Sequence, residues 1–449
     1  MPGPKAASPH SRTPASPVDP GINSIAELQK RTYKYFEREM NPDNGLVRDN
    51  THPDAPASIA GSGMALACHV VAVEHGYQTR ASAAAKARKI LEFLWNAEQS
   101  ERPTATGYKG FFYHFLEIGS GRRTWRSELS TIDSAILFAG ALVASRYFDG
   151  DSADETAVRE LGDALYRRAD WRWMLRDNVI SHGWRPETGF LRYGWCGYNE
   201  ALFLLILALG SPTFAVPKTC YAKWTSTYRW RKIHGHEFLY SGPLFTHQLS
   251  HVWIDFRGIQ DGYMRERCID YFENSRRATY VQRAYAQENP KQFKGYGENA
   301  WGITASGGPA ESERKVFRRG RKFFGYHARG VPFGPDDGTL SPWAIVASLP
   351  FAPEIVVPAM RHLNSTYPDI AGHYGYESSF NPTFPGRNSA GWVSEWHYAI
   401  DQGPLIIMVD NYLSGLMWRM TRSCDYIVRG LERAGFTGGW MSNKKAANA

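Results

Sequence analysis

Trp195-Cys-Gly-Tyr-Asn-Glu-Ala-Leu-Phe-Leu-Leu-Ile-Leu-Ala-Leu-Gly-Ser-Pro-Thr213 is the stretch on which the reading of this chain turns. Every residue from Ala201 to Leu209 is apolar, and Gly210 and Pro212 supply a helix stop signal. A bilayer span takes ~20 apolar residues, so this shorter run reads as a buried helix. Tyr198, Asn199 and Glu200 stand at its mouth. A carboxylate placed there is partly desolvated, which raises its pKa and suits it to hold a proton near neutrality. The plainer alternative is a first-turn acid favoured by the helix dipole.

The 449 residues suffice for two or three average domains or one large helical one. Hydrophobic residues make up 43%, enough for a large core, and aromatic residues 14%, with 15 Trp and 24 Tyr. Trp and Tyr beside Asp, Glu, Asn and His suit stacking on sugar rings. The net charge of +8 is spread along the chain, with clusters at Arg314–Lys322 and near the tail. No nucleic-acid motif accompanies it, so it reads as solvated surface. Five Cys at 68, 196, 220, 268 and 424 have neither metal-type nor disulfide-dense spacing, which favours reduced, buried thiols. Residues 1–22, rich in Pro, Ser and Ala, contain no apolar h-region and read as a disordered lead-in without an ordinary secretory signal. The expected compartment is cytoplasmic, or periplasmic or secreted after processing. Residues 23–436 read as one domain and 437–449 as a disordered tail. A monomer with no membrane span is expected.

Ser24 with Glu27, and Ser152 with Glu155, form capping-box patterns that start helices. Further helices are predicted at about 62–75, 81–98, 128–142, 219–231, 262–287, 342–349, 352–366, 403–420 and 422–434. The segment 104–127, with Phe111-Phe-Tyr-His-Phe115, breaks the pattern as short strand or ordered loop. There is no βαβ alternation, and paired helices with long connections fit an all-α toroid.

Acids and aromatics cluster at helix entries and loops. Asp133 stands near Glu128, Ser130 and Thr131, and Glu200 near Trp195, Tyr198 and Asn199. His247, His251, Trp253, Asp255 and Arg257 form a third group. Glu298, Asn299 and Trp301, continuing to Asp336-Asp337, form a fourth, and Trp396, Asp401 and Gln402 a fifth. His247 and His251, four apart, raise metal binding, but there is no HExxH and no metal or cofactor is expected. The pair Asp336-Asp337 raises a terpene-cyclase motif, against which the abundant Trp and Asn favour a polyol substrate. Without GxSxG or a P-loop, serine-hydrolase and nucleotide chemistry lose support. Two carboxylates far apart in sequence, each flanked by Trp and amides, are what glycoside cleavage requires.

Tyr198-Asn-Glu-Ala201, Ile206–Thr213, Pro243–Asp261, Glu298–Thr304 and Ile400-Asp-Gln-Gly-Pro404 together resemble the glucoamylase-like family, in the family's order, over about 25–436. That group includes bacterial endo-β-1,2-glucanases and the processing domain of cyclic β-1,2-glucan synthases. The resemblance implies a single (α/α)6 barrel whose open end binds β-1,2-glucan. It implies Glu200 as general acid, Asp401 as general base and Asp133 as a sugar contact. Beside Asp401, Gln402-Gly-Pro404 reads as a polar turn that keeps that carboxylate ionised. Trp195, Trp301 and Trp396 are favoured as stacking platforms. Sugar contacts are also expected from Tyr198, Asn199, His247, His251, Trp253, Asp255, Arg257, Glu298, Asn299, Asp337 and Gln402, with a structural role the even alternative for His247, His251, Trp253, Asp255 and Arg257. The stretch 307–333 is more basic than the Gly/Tyr-rich loop of the family, leaving product length open. The resulting expectation is an endo-acting, anomer-inverting β-1,2-glucan hydrolase. The alternatives are a retaining β-1,2-glucan transglycosylase and a glucan-binding protein without catalysis.

Overall fold

Ser24 Oγ accepts the N–H of Glu27, and Ser152 Oγ that of Glu155, so both capping boxes start helices. The computed structural model describes residues 24–316 and 319–442; the lead-in 1–22 and residues 443–449 lie outside the described residues. The first five helices are α1 (Ile25–Arg38), α2 (Ile59–Glu74), α3 (Arg80–Asn96), α4 (Thr131–Tyr147) and α5 (Ala153–Arg168). The middle of the chain forms α6 (Leu202–Gly210), α7 (Thr219–Thr225), α8 (Leu249–Trp253), α9 (Gly262–Glu266) and α10 (Tyr271–Glu288). The last third forms α11 (Pro342–Val346), α12 (Pro353–Thr366), α13 (Ala399–Leu413), α14 (Leu416–Arg422) and α15 (Asp425–Arg433). Strands among the described residues are short and make antiparallel sheets of no more than three. The fold is mostly helical.

Helix α2 packs between α4 and α13, α4 also meets α5 and α6, and α6 meets α8 and α15. Helix α13 meets α8 and α11, α11 meets α12, and α1 lies against α13. Before α8, Gln248 Nε2 donates to Ala344 O of α11 at 2.6 Å. Helices α2, α4, α6 and α13 are buried along most of their length, whereas α1, α3 and α5 bury one stripe, as helices screening a core must. Two of the closest contacts depend on missing side chains. A Cβ on Gly63 would lie 2.5 Å from Leu137 Cα, and one on Gly140 2.1 Å from the Gly63 carbonyl oxygen. The same reciprocity joins α6 to α15, where a Cβ on Gly210 or Gly430 would lie 2.0 Å from a backbone oxygen of the other helix. Gly210 therefore ends α6 by admitting a neighbour, with Ser211 following as the C-cap.

Several helix limits differ from expectation. The 219–231 segment stops at Thr225, and Trp230–Ile233 pairs with His236–Leu239 as a hairpin. The 262–287 segment divides at Cys268, whose φ of 56° breaks the helix, and Asp261 and Asp270 cap the two pieces. Residues 437–442 are packed rather than forming part of a tail. Thr437 pairs with Gln260, Trp440 Nε1 donates to Asp255 O at 2.8 Å, and Met441 is buried. Among the described residues no helix is long and apolar enough to cross a membrane.

Candidate active site

Four helices, α4, α8, α11 and α13, and the turn that leads into α6 meet at one cleft of about 260 Å³. Helix α4 contributes Ile132, Asp133 and Ile136, and Glu200 stands at the entry to α6. Gln248 stands just before α8 and Leu249 opens it, Trp343 comes from α11, and Ile400, Asp401 and Pro404 from α13. His114, Phe245, Ala305 and Tyr326 arrive on loops and complete the lining. Three acids distant in sequence, Asp133, Glu200 and Asp401, thus face one space. The positive ends of helix dipoles surround them, which favours negative charge there.

Each acid is held by local structure. Ser130 Oγ receives the Asp133 N–H as the α4 N-cap and donates back to Asp133 Oδ2. The Glu200 carbonyl accepts from Ser250 Oγ of α8 at 2.9 Å, fixing the turn before α6. Asp401 is buried in the first turn of α13 and accepts from Ser378 Oγ. Gln402, Gly403 and Pro404 continue that helix as buried residues, so the expected polar turn is absent. Burial pushes Glu200 up to about 7, and the charge of Asp133 adds to it. Burial likewise pushes Asp401 up to about 8, the Ser378 bond opposing and Asp49 reinforcing the rise. Both carboxyls can therefore carry or release a proton near neutrality, which corrects the picture of a freely solvated, ionised Asp401.

His114 is a cation set among these acids. Its Nδ1 lies 3.0 Å from Glu128 Oε1 and its Nε2 3.7 Å from Asp133 Oδ1. Burial opposes its charge, but Asp133, Glu128 and Asp49 outweigh burial and lift it to about 9. Burial also opposes the charge of Glu128, yet its bond to His114 brings it down to about 2. Burial raises Asp49, whose backbone carbonyl holds the Ala399 N–H at the start of α13. Sequence reasoning passed over His114, Asp49, Ser378, Gln248, Trp343 and Tyr326 as site residues. A histidine within Phe111-Phe-Tyr-His-Phe115 was the one visible hint, since nothing in a strand of the core requires an imidazole.

The other predicted contacts divide into several groups. Trp301 is 0% exposed and Trp253 is fully buried, so neither stacks on a ligand. Trp195, 7% exposed, is covered by His182 at 4.0 Å and donates its indole N–H to Thr131 Oγ1. Trp396 is half-buried edge-on to His52 at 4.8 Å and does not line the cleft. Tyr198 packs among Tyr228, His247 and Tyr271, and Asn199 caps its own turn by accepting the Ala201 N–H. His247 and His251 are core residues that burial holds neutral, at about 4 and about 3. Their Nε2 atoms face Ser241 O and Ser275 Oγ. Asp255 pairs with Arg257 and Arg422 and, through its carbonyl, holds Trp440. Glu298 pairs with Arg283 at the surface, and Asn299 lies in the adjoining turn. Asp337 is spent on a buried ion pair with Arg329, while Asp336 takes the hydroxyls of Tyr285 and Tyr296. Gln402 is buried beside Asp401 without reaching the cleft. Among the described residues no group of three or more His, Cys, Asp or Glu is placed to hold a metal ion.

The Glycoamylase family model ("Putative glucoamylase") matches residues 192–425, just over half of the chain. A "putative glucoamylase" structure from Bacteroides uniformis is 31% identical, with a TM-score of 0.83 over 94% of this chain and 100% of that one. An endo-β-1,2-glucanase of Chitinophaga pinensis, solved with sophorotriose and glucose, is 28% identical, with a TM-score of 0.79 over 92% of this chain and 98% of that one. An exo β-1,2-glucooligosaccharide sophorohydrolase of Parabacteroides distasonis is 25% identical across 90% of this chain, which spans 57% of that protein's length. The matched region contains both Glu200 and Asp401, and on that footing the chain belongs to the Glycoamylase, or glucoamylase-like, family.

Proposed function

We propose that this chain is a glycoside hydrolase that cleaves β-1,2-glucan internally with inversion, inside an (α/α)6 barrel. The contacts that run α2, α4, α6, α8, α11, α13 and back to α2 support an inner ring, with α1, α3, α5, α15, α10 and α12 outside it. The observation that carries the chemistry is the meeting of Glu200 and Asp401 in one cleft, each with a carboxyl pushed up toward neutrality. The likeness to enzymes that act on β-1,2-glucan supports the substrate. Glu200 donates its proton to the leaving glycosidic oxygen as the bond to C1 breaks. Asp401 takes a proton from a water attacking C1 from the opposite face, leaving an α-configured hemiacetal. Asp133, held by Ser130 and facing His114, is positioned to accept from a sugar hydroxyl.

The active form of the pair carries one proton, on Glu200. Asp401 is the more basic carboxyl, so this is the minor of the two singly protonated forms and is most populated where the pair holds one proton. Activity should therefore rise with pH as the doubly protonated pair loses its first proton, and fall as the second is lost. A bell-shaped kcat/KM profile on β-1,2-glucan with limbs near 7 and 8 is expected, the two values belonging to the pair. A flat profile from pH 5 to 9 would contradict it.

Substrate and stereochemistry are tested together by incubating the protein with β-1,2-, β-1,3-, β-1,4- and β-1,6-glucans. Products are sized by chromatography and their first anomer read by NMR. The expected outcome is cleavage of the β-1,2-glucan alone, a spread of oligosaccharide lengths from the first minutes, and initial α-anomer. Initial β-anomer would establish retention, disaccharide alone from the outset would establish end-wise release, and equal cleavage of another linkage would overturn the substrate.

A further inference from the structure

Trp125 is 65% exposed, a large aromatic side chain at the surface rather than in the core. Its φ of 55° and that of Arg126, 50°, lie in the left-handed region that an ordinary side chain occupies only at a cost. The turn that imposes this conformation is clamped on both sides. Thr124 donates its N–H to Phe115 O at 3.1 Å, and Ser127 Oγ donates to the same carbonyl at 3.2 Å. Arg123, buried, donates to Ser127 O at 2.6 Å and to both carboxylate oxygens of Glu187 at 2.7 and 3.0 Å. The backbone that presents the indole is thus fixed by its neighbours.

It is also connected to the cleft. His114, on the cleft wall, stacks on Phe115 with centroids 3.8 Å apart and planes 15° apart. Phe115 in turn meets Trp125 at 5.2 Å and 59°, leaving the rest of the indole open. We propose that Trp125 is the outer platform of a glucan-binding track that leaves the catalytic cleft over His114 and Phe115. A pyranose ring of the same chain that is being cleaved, several units from the scissile bond, lays its C–H face on the indole. Trp is suited to this because it offers a large rigid apolar face with few rotatable bonds to freeze. The inference rests on the β-1,2-glucan reading and adds to it the length of chain engaged.

The test compares Trp125→Ala and Trp125→Phe with the unmodified protein. The substrates are long β-1,2-glucan and the shortest β-1,2-glucooligosaccharide that is cleaved. Trp125→Ala should lower kcat/KM on the long chain roughly tenfold, mostly through KM, the scale of one lost aromatic contact. It should leave the shortest substrate unchanged, and Trp125→Phe should restore most of the loss. The melting temperature should stay put, because the side chain is largely exposed. An equal loss on both substrates, or no loss on either, would overturn the platform while leaving the hydrolase intact. If the unmodified protein cleaves no β-1,2-glucan, the substrate reading falls, and the track falls with it.

Discussion

Glu200→Gln and Asp401→Asn should each cut turnover on β-1,2-glucan by at least ~10²-fold, the ordinary size of an acid–base contribution. Both substitutions keep the shape of the carboxyl and remove its proton chemistry, so substrate binding should survive. A leaving group that needs no proton separates the roles. On a β-1,2-linked glucosyl fluoride, Glu200→Gln should recover most of its rate, because fluoride departs unaided. Asp401→Asn should remain slow, because water still lacks a base. Recovery in the Asp401 variant rather than the Glu200 variant would exchange the two assignments. Near-normal turnover of either variant on glucan would remove that residue from the mechanism.

Asp337→Ala should cost about 3–5 kcal/mol of stability, the range for stranding one member of a buried ion pair. Asp337 and Arg329 are both fully buried, joined by bonds of 2.7 and 2.9 Å. Arginine does not shed its charge, so the guanidinium would remain buried with only backbone carbonyls and the Ser306 hydroxyl around it. Asp337 also accepts the N–H of Phe324, tying down the segment that carries Tyr326 to the cleft. Urea unfolding is the measurement, and the midpoint should fall sharply. The double change Asp337→Leu with Arg329→Met should regain part of the loss, since the stranded charge is gone. Burial opposes ionisation of Asp337, but the Arg329 bonds outweigh it and hold the pKa below the ordinary 3.8. A lowered folded value means that the pair's contribution is complete above pH 3.8 and is lost as pH falls through the folded value. An Asp337→Ala midpoint within error of the unmodified protein would refute the role.

Local signals carried a large share of the architecture. Ser24 and Ser152 cap the helices they were read to cap, because a hydroxyl three residues ahead of a free N–H needs no tertiary partner. The Ala201–Leu209 run is a buried helix because only a core accommodates such a run without a polar face. The long family motifs brought Glu200, Asp401 and Asp133 to attention, and these three meet in the cleft. Tertiary structure decided which neighbours of those motifs do something else. Trp301 and Trp253 carry the same aromatic signal as a sugar platform, yet closure of the helices around them leaves no open face. His247 and His251 sit at helical spacing, but burial keeps them neutral and turns them to different serine partners. Asp401 looked solvated beside Gln402-Gly-Pro404, until packing of α13 against α2 and α11 buried that segment and raised its pKa. His114 shows the reverse case. Only its place among the aromatics of Phe111–Phe115 marks it in the chain, and its charge arises because Glu128, Asp133 and Asp49 converge on it from other segments. Caps and apolar runs are set by neighbours along the chain, whereas desolvation and charge coupling depend on groups that only folding brings within a few ångströms.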